Sequence, residues 1–279
     1  MVTVSTMARS SSSRDISFDT DFGPARIRWD GPRATLFLGD VESSAVDTSD
    51  PTYLEFEYMQ HMDAVVSSLW GPQDRFRALH VGGAACALAC AWSSSHPNSR
   101  HVAVEVDRLL AEQVREHFPI PGAPQVKIRV GDGRAVLDGA REGSFDVIVR
   151  DAFASGVTPD HLRTVECADR ARRALTASGV YLVNCAHGGV ANARQDVAAL
   201  QEVFPFVVSI QDPKVGRGGR RGNVVALASA ADVVDVDQID RALRTLALPA
   251  RITRPADLTR WVAGTRALTD AQVGYPQAD

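Results

Sequence analysis

The sequence predicts an α/β fold in which a mostly parallel sheet follows a small N-terminal β unit. From Arg77 onward, short apolar strands alternate with helices, the pattern of a parallel sheet covered on both faces. Before that point, residues 16–46 contain short alternating segments separated by Gly-Pro at 23–24 and 31–32, which is typical of antiparallel strands. The chain of 279 residues is long enough for one sizeable core with an appendage.

Periodicity and end signals predict the individual elements. Apolar side chains at helical spacing predict a helix that begins near Asp50-Pro51 and ends near Gly71-Pro72. The apolar segments 206–212 and 223–229 are expected to close the sheet as a hairpin. Two helices are expected in the remaining tail.

Composition excludes several classes of function. A net charge of -4 argues against a general nucleic-acid partner, because phosphate binding needs clustered positive charge. The N-terminus lacks an apolar signal core, and no apolar run of about 18 residues is present, so we expect no membrane partner and a cytoplasmic location. No cysteine or histidine cluster has zinc spacing, so we expect no metal.

Acidic residues end three successive strands of the predicted sheet. Glu105 ends the second strand of this core, Asp132 the third and Asp151 the fourth, while the first ends in the small-residue turn 82–85. Ligands of open α/β sheets bind beyond the carboxyl ends of the strands. Glu105 lies 22 positions after Gly83, a spacing typical of acids that bind ribose hydroxyls. Asp132 is then placed to accept from an adenine amino group.

This order of turn and acids predicts a Rossmann-like nucleoside site of the S-adenosylmethionine methyltransferase type. A dinucleotide-dependent dehydrogenase is the alternative, but its G-x-G-x-x-G motif is absent from the turn, which is Gly-Gly-Ala-Ala-Cys-Ala over residues 82–87. The residues expected to contact the nucleoside are Gly82, Gly83, Ala85, Glu105, Asp132 and Gly133.

Four segments are expected along the chain. The Ser-rich residues 1–14 are predicted to form a disordered tail. Residues 15–50 form the small β domain, residues 51–230 the Rossmann-like nucleoside-binding catalytic domain, and residues 231–279 a C-terminal helical tail.

The chain from about Tyr53 to Ser229 resembles the spermidine synthase (polyamine aminopropyltransferase) family. The segments that carry the resemblance are YLEFEYMQHM, ALHVGGAACA, HVAVEVD, VGDGRAVL and FDVIVRDAFASGVTPDHLRTVE. The resemblance implies a homodimer in which Glu105 binds ribose, Asp132 binds adenine and Asp151 activates an amine. In that chemistry the amine attacks the methylene beside a sulfonium, methylthioadenosine leaves, and a carboxylate positions the amine and takes its proton.

Departures from the family pattern lie at the amine end of the site. The family's turn carries an acid at the position of Ala85, which pairs with the terminal ammonium of decarboxylated S-adenosylmethionine and repels the carboxylate of ordinary S-adenosylmethionine. A second gate-loop acid is replaced by Ala154, and the residue after Tyr53 is Leu54 instead of His or Gln. The resemblance places Tyr53 in the amine pocket, where Glu55 is a candidate substitute acid, although Glu55 also suits an exposed helix position.

Two further polar residues are expected near the pocket. Asn184 ends a predicted strand, and His187 lies just after that strand. Asn184 can face the pocket and His187 can serve as a base, although each also suits an ordinary structural or solvated position.

Three functions follow from this pattern. The first is transfer of an aminopropyl group from decarboxylated S-adenosylmethionine to a small-molecule amine, with the usual polyamine-binding acids partly lost. The second is methyl transfer from ordinary S-adenosylmethionine to an amine or another acceptor, for which Ala85 leaves room. The third is a catalytically inactive nucleoside-binding or assembly protein. For either transferase, Asp151 is the expected catalytic residue.

Overall fold

The computed structural model describes residues 14–276, apart from residue 155 and residues 216–219 and 232–233. The tail expected over residues 1–14 lies outside the described residues, except for Arg14. The chain begins with a four-stranded antiparallel sheet in sequential order. Its strands are β1 (Arg14–Thr20), β2 (Gly23–Asp30), β3 (Arg33–Leu38) and β4 (Val41–Asp47).

A second sheet of eight strands forms the centre of the molecule, in the order β12-β10-β11-β9-β8-β5-β6-β7. These strands are β5 (Arg77–Val81), β6 (Arg100–Glu105), β7 (Val126–Val130), β8 (Phe145–Arg150), β9 (Leu175–His187), β10 (Phe206–Gln211), β11 (Gly222–Ser229) and β12 (Arg251–Thr253). The five strands from β7 to β9 are parallel, whereas β11, β10 and β12 each pair antiparallel. The expected α/β fold, with a mostly parallel sheet and a small N-terminal β unit, is confirmed.

Helices cover both faces of this sheet, because the parallel strands are apolar on both faces. The α-helices of the described residues are α1 (Glu57–Leu69), α2 (Ala87–Ser95), α3 (Arg108–His117), α4 (Gly133–Asp138), α5 (Val165–Ala174), α6 (Ala193–Val203), α7 (Val236–Arg244), α8 (Pro255–Val262) and α9 (Asp270–Val273). One core cluster includes side chains of α1, α2 and α7, and the other includes side chains of α4, α5, α6 and α8.

Three details differ from the sequence-based expectation, the first being a third short helix, α9, in the tail. Helix α1 begins at Glu57 instead of near Asp50-Pro51, because residues 51–56 form a turn and an irregular segment. The tail also contains strand β12, which lies between the two expected helices in the sequence and pairs with β10. This strand has only three residues, too few to show a period of two in the sequence.

The N-terminal sheet packs on the central domain through an apolar cluster that includes Ile27 and Leu36 of the sheet and Leu110 of α3. Hydrogen bonds between the β1–β2 turn and the start of α3 fix this contact. The carboxylate of Asp21 accepts from the backbone N–H of Arg108 at 2.7 Å, and the Asp107 carboxylate accepts from the N–H of Asp21 at 3.1 Å. The end of β6 is therefore attached to the N-terminal sheet.

The chain reverses its direction across the central sheet at β5. It runs outward from β5 to β6 and β7, and then returns to the other side of β5 as β8. Such a switch point leaves a crevice beyond the carboxyl ends of the two central strands, which is where open α/β sheets bind ligands. The described site lies at this crevice.

Candidate active site

Gly82 brings the turn after β5 against the backbone of the turn after β8. It adopts φ +100°, and a Cβ atom at this position would lie 2.1 Å from the carbonyl oxygen of Asp151. The N–H of Asp151 donates to the carbonyl of Val81 at 2.8 Å, which holds the same two strand ends together. Only glycine satisfies both the backbone angle and the available space. Gly82 therefore determines where Asp151 lies.

Asp151 is held by two donors from different parts of the chain. The Tyr58 hydroxyl of α1 donates to Oδ2 at 2.9 Å, and the Asn184 amide of β9 donates to Oδ1 at 2.9 Å. Burial raises the pKa of the Asp151 carboxyl above its ordinary value, and these hydrogen bonds oppose the rise. The result is an oriented carboxylate at the end of β8, suited to hold an amine and to take a proton from it.

Arg150, the residue before Asp151, binds the backbone segments that surround this carboxylate. Its guanidinium is buried and forms an ion pair of 2.7 Å with Asp196 of α6. It also donates to the backbone carbonyls of Leu162 at 3.0 Å and Asn184 at 3.2 Å. Because Arg150 holds the strand segment that carries Asn184, it helps to place the amide donor of Asp151.

Glu105 at the end of β6 closes the other side of the crevice. Its Oε2 accepts from the N–H groups of Gly83 at 3.3 Å and Ala84 at 2.9 Å, and its Oε1 accepts from the N–H of Asp107 at 3.1 Å. Burial raises the pKa of Glu105, and the three amide donors oppose this rise. A carboxylate offers about four acceptor positions, so Glu105 retains capacity for a hydroxyl donor.

Asp132 is the N-cap residue of α4 and lies beside the stacked rings of His161 and Tyr275. One oxygen caps the helix by accepting from the Ala135 N–H at 2.9 Å, and the other lies 3.0 Å from Nε2 of His161. The bond to His161 is the main reason that the pKa of Asp132 is lowered. The His161 ring stacks on Tyr275 with a centroid separation of 5.5 Å and an interplanar angle of 6°.

The C-terminal turn that carries Tyr275 is attached by a buried ion pair. Arg134 donates to both oxygens of Asp270, at 2.8 Å and 2.6 Å, and the Thr164 hydroxyl donates to the same carboxylate at 2.7 Å. The guanidinium of Arg134 also lies 4.4 Å from the centre of the Tyr275 ring. The wall beside Asp132 therefore consists of residues more than a hundred positions apart.

Of the remaining predicted site residues, Gly133 and Ala85 lie in tight surroundings. A Cβ atom on Gly133 would lie 2.4 Å from Cγ1 of Val81, so a larger residue here would have to displace the Val81 side chain. Ala85 is 1% exposed and packs in the apolar cluster with Ile27 and Leu36 of the N-terminal sheet.

Tyr53 and Glu55 are brought together with the N-terminal sheet, and neither contacts Asp151. The Tyr53 hydroxyl donates to Glu55 at 2.5 Å, and the Tyr53 ring lies 4.4 Å from the guanidinium carbon of Arg33. The tyrosine that contacts Asp151 is Tyr58, which was not among the expected site residues. Its only signal in the sequence was its place in the segment YLEFEYMQHM.

Asn184, by contrast, does lie at Asp151, but it does not end its strand, because β9 continues to His187. His187 packs against Trp261 of α8, with ring centres 5.3 Å apart.

Within residues 14–276, the gaps aside, no group of three or more His, Cys, Asp or Glu residues is arranged to hold a metal ion. In the described part of the chain, no helix is both long and apolar enough to cross a lipid bilayer.

Comparison with known proteins places the chain among relatives of this architecture. No protein-family model matches it. A polyamine aminopropyltransferase of Vibrio vulnificus (strain CMCP6) is 26% identical over 110 residues, which are 39% of this chain and 37% of that protein. The match thus spans little more than a third of the curated relative.

Solved structures extend the similarity to most of the chain. A probable spermidine synthase from Corynebacterium glutamicum ATCC 13032 is 32% identical with a TM-score of 0.84, covering 91% of this chain and 95% of that one. A spermidine synthase in complex with the transition-state analogue AdoDATO is 16% identical, with a TM-score of 0.55 and coverage of 94% and 87%. Human methyltransferase-like protein 13 in complex with SAH is 18% identical, with a TM-score of 0.55 and coverage of 77% and 96%.

The two more distant structures share the fold alone, and with the strand order they define a Rossmann-like protein of the methyltransferase type. The 32% identity over nearly the whole chain identifies the family within this class. The chain belongs to the spermidine synthase (polyamine aminopropyltransferase) family, as the sequence resemblance indicated.

Proposed function

We propose that this protein transfers an aminopropyl group from decarboxylated S-adenosylmethionine to an amine of low positive charge. The observation that carries the proposal is Asp151, a carboxylate oriented by Tyr58 and Asn184 beside the Gly82 turn. An ammonium acceptor first gives a proton to Asp151. The freed nitrogen lone pair then forms the N–C bond to the methylene next to sulfur, the C–S bond breaks with its electrons on sulfur, and methylthioadenosine leaves.

The nucleoside is the adenosyl part of the co-substrate. We assign Glu105 to the ribose hydroxyls, because its carboxylate retains acceptor capacity at the end of β6. We assign Asp132 to the adenine amino group, with His161 beside it. The AdoDATO complex of one structural neighbour and the SAH complex of another support a co-substrate of this chemical type.

The acceptor is expected to carry few positive charges. A polyamine needs several carboxylates for selective binding, and each charged hydrogen bond contributes roughly 1.5–3 kcal/mol. This chain has Ala154 where the family has its second gate-loop acid. Glu55 lies beside Tyr53 and Arg33 and does not contact Asp151. An amine with one charged nitrogen is the acceptor that a single oriented carboxylate suits best.

Ala85 favours a second candidate function, methyl transfer from ordinary S-adenosylmethionine. The methionine carboxylate of that nucleoside meets no repelling acid at this position, because Ala85 is an apolar, buried residue. The substitution Ala85→Asp cannot separate the two functions. It would put a carboxylate among apolar side chains of the N-terminal sheet, and the protein would lose stability before its ligand preference changed.

Direct titration separates the candidates. Purified protein is titrated in a calorimeter with decarboxylated S-adenosylmethionine, S-adenosylmethionine and methylthioadenosine under the same conditions. Tighter binding of the decarboxylated form supports the proposal, and an amine screen that detects methylthioadenosine then identifies the acceptor. Tighter binding of S-adenosylmethionine supports methyl transfer. Binding of none of the three contradicts both.

The role of Asp151 is tested by Asp151→Asn. This change keeps the shape but removes the proton acceptor, so we expect turnover to fall by at least a hundredfold, the order of a general base contribution. Nucleoside affinity should change little. The matched control is Asp257→Asn, which removes an exposed carboxylate on α8. Normal turnover in Asp151→Asn would refute the assignment.

A further inference from the structure

A small cavity lies directly beneath the Gly82 turn, between β5, α1 and α2. Its volume is about 20 Å³, room for one water molecule. Most of its wall is apolar, but Asp151 and His80 of β5 also line it. The proposed chemistry uses Asp151 and gives no role to His80.

His80 begins a chain of buried hydrogen bonds that leads away from the cavity. Its Nε2 lies 3.1 Å from Nδ1 of His101, and Nε2 of His101 lies 2.7 Å from the hydroxyl of Ser99. The Ser99 hydroxyl donates to the backbone carbonyl of His96 at 2.6 Å. The direction of every bond in the chain follows from this last one, because a carbonyl can only accept.

The hydroxyl proton of Ser99 is committed to the carbonyl, so the hydroxyl must accept from Nε2–H of His101. The Nδ1 atom of His101 then carries a lone pair and accepts from Nε2–H of His80. Consequently Nδ1 of His80 also carries a lone pair. Among the described residues, none donates to this nitrogen, and His80 is 4% exposed.

Burial keeps this arrangement neutral. It lowers the pKa of His80 to about 3 and is the largest cause that lowers the pKa of His101 to about 2. At neutral pH both rings are therefore uncharged imidazoles, and Nδ1 of His80 remains an acceptor. An acceptor that lines a mostly apolar cavity without a donor is unfavourable, so a donor at this position is strongly favoured.

We propose that the cavity holds an ordered water molecule that donates one hydrogen bond to Nδ1 of His80 and the other to Asp151. The two groups are both acceptors, and water is a donor of the right size for the space between them. His80 is thus a positioning residue that acts on Asp151 through this water. The catalytic consequence rests on the proposed function, whereas the water site does not.

The water supplies a third donor to the Asp151 carboxylate. Each donor favours the ionised form of a carboxyl group, so the water offsets part of the effect of burial. Asp151 is then ionised, and able to take a proton, at a lower pH than burial alone would permit. Loss of the water should move the acidic limb of the kcat profile to higher pH.

Two substitutions of His80 separate this role from a purely structural one. His80→Gln keeps an amide donor for His101 but has no acceptor at the position of Nδ1. His80→Asn places an amide oxygen near the position of Nδ1 but is too short to reach His101. A structural role depends on the bond to His101, whereas the proposed role depends on the acceptor. The control is His61→Gln, since His61 is a buried histidine of α1 that does not line the cavity.

The experiment combines crystal structures at better than about 2 Å with pH profiles of kcat. We expect the wild type to show a water within hydrogen-bonding distance of both His80 and Asp151, and His80→Gln to lack it. The acidic limb should move upward by about one pH unit in His80→Gln, the effect of roughly one hydrogen bond, and by clearly less in His80→Asn. The KM for the amine should stay unchanged.

An empty cavity in the wild-type crystal, or unchanged pH profiles in His80→Gln, would overturn the inference. A raised KM for the amine with an unshifted profile would also overturn it, because the amine nitrogen itself would then occupy the cavity. If the wild type turns over no amine, the proposed function fails, while the crystal structures still decide whether the water site exists.

Discussion

Removal of the Asp270 carboxylate should weaken the attachment of the C-terminal turn to α4 and to Thr164. In Asp270→Ala, Arg134 loses two charge-assisted hydrogen bonds, and the Thr164 hydroxyl loses its acceptor. Both charged side chains of the pair are 4% exposed, so the guanidinium would stay buried without this partner. Breaking a buried ion pair on one side costs about 3–5 kcal/mol.

The lower end of that range is expected, because Arg134 keeps a second partner. Its Nε lies 3.0 Å from Asp138, one turn further along α4. A loss of about 3 kcal/mol corresponds to a fall in Tm of roughly 6–12 °C for a domain of this size. Urea unfolding should give a lower midpoint with an unchanged slope. The control, Asp257→Ala, removes an exposed carboxylate and should change stability by less than about 0.5 kcal/mol.

The same pair predicts how stability depends on pH. Burial alone would raise the pKa of Asp270, but the hydrogen bonds from Arg134 and Thr164 lower it overall. A carboxyl group whose pKa is lower in the folded state than in the unfolded state stabilises the protein at pH values above its unfolded-state pKa, about 3.9. This contribution is lost as the pH falls from that value through the folded-state pKa. Wild type and Asp270→Ala should therefore converge in stability below about pH 4.

Two results would refute this reasoning. A loss below 1 kcal/mol in Asp270→Ala would mean that water or Asp138 fully compensates Arg134. A double variant, Arg134→Met with Asp270→Leu, removes both charges and should recover much of the lost stability. If it is as unstable as the single variant, the cost arises from packing and not from the unpaired charge.

Three further predictions concern the crevice. Gly82→Ala should displace Asp151 and lower both turnover and thermal stability; an active, stable variant would contradict the required close approach. Glu105→Gln should weaken methylthioadenosine binding about tenfold in calorimetry, because one hydroxyl acceptor becomes an amide donor, and equal affinity would exclude the ribose assignment. With the proposed adenine contact of Asp132, Asp132→Asn should weaken the same binding by a smaller factor, since the neighbouring His161 remains, and unchanged affinity would argue against Asp132.

The sequence predicted the parts of the site that depend on strand ends. Glu105, Asp132 and Asp151 end or follow successive parallel strands, and the sheet brings such ends to one edge regardless of details. Asn184 also contacts Asp151, although it lies three residues before the end of β9 instead of at the strand end. This part of the site could be predicted because topology alone determines it.

The partners of these acids could not be predicted in the same way. Tyr58 reaches Asp151 across 93 positions, and its partner depends on how α1 packs on the sheet. His161 and Tyr275 meet through the C-terminal turn, whose attachment includes the buried ion pair of Arg134 with Asp270. The direction of the Ala85 side chain also depends on the N-terminal sheet, which no local pattern encodes.

Attachment of the β1–β2 turn to α3 limits how this protein can be recombined with its relatives. Asp21 provides part of the hydrogen bonding at the first turn of α3, only a few residues after Glu105. A chimera that exchanges the N-terminal sheet would therefore alter the segment between β6 and α3, although the sequence of that segment stays the same. Exchange is expected to preserve that segment only when an acceptor in the new hairpin replaces Asp21. The N-terminal sheet and the end of β6 should accordingly be inherited and engineered as one unit.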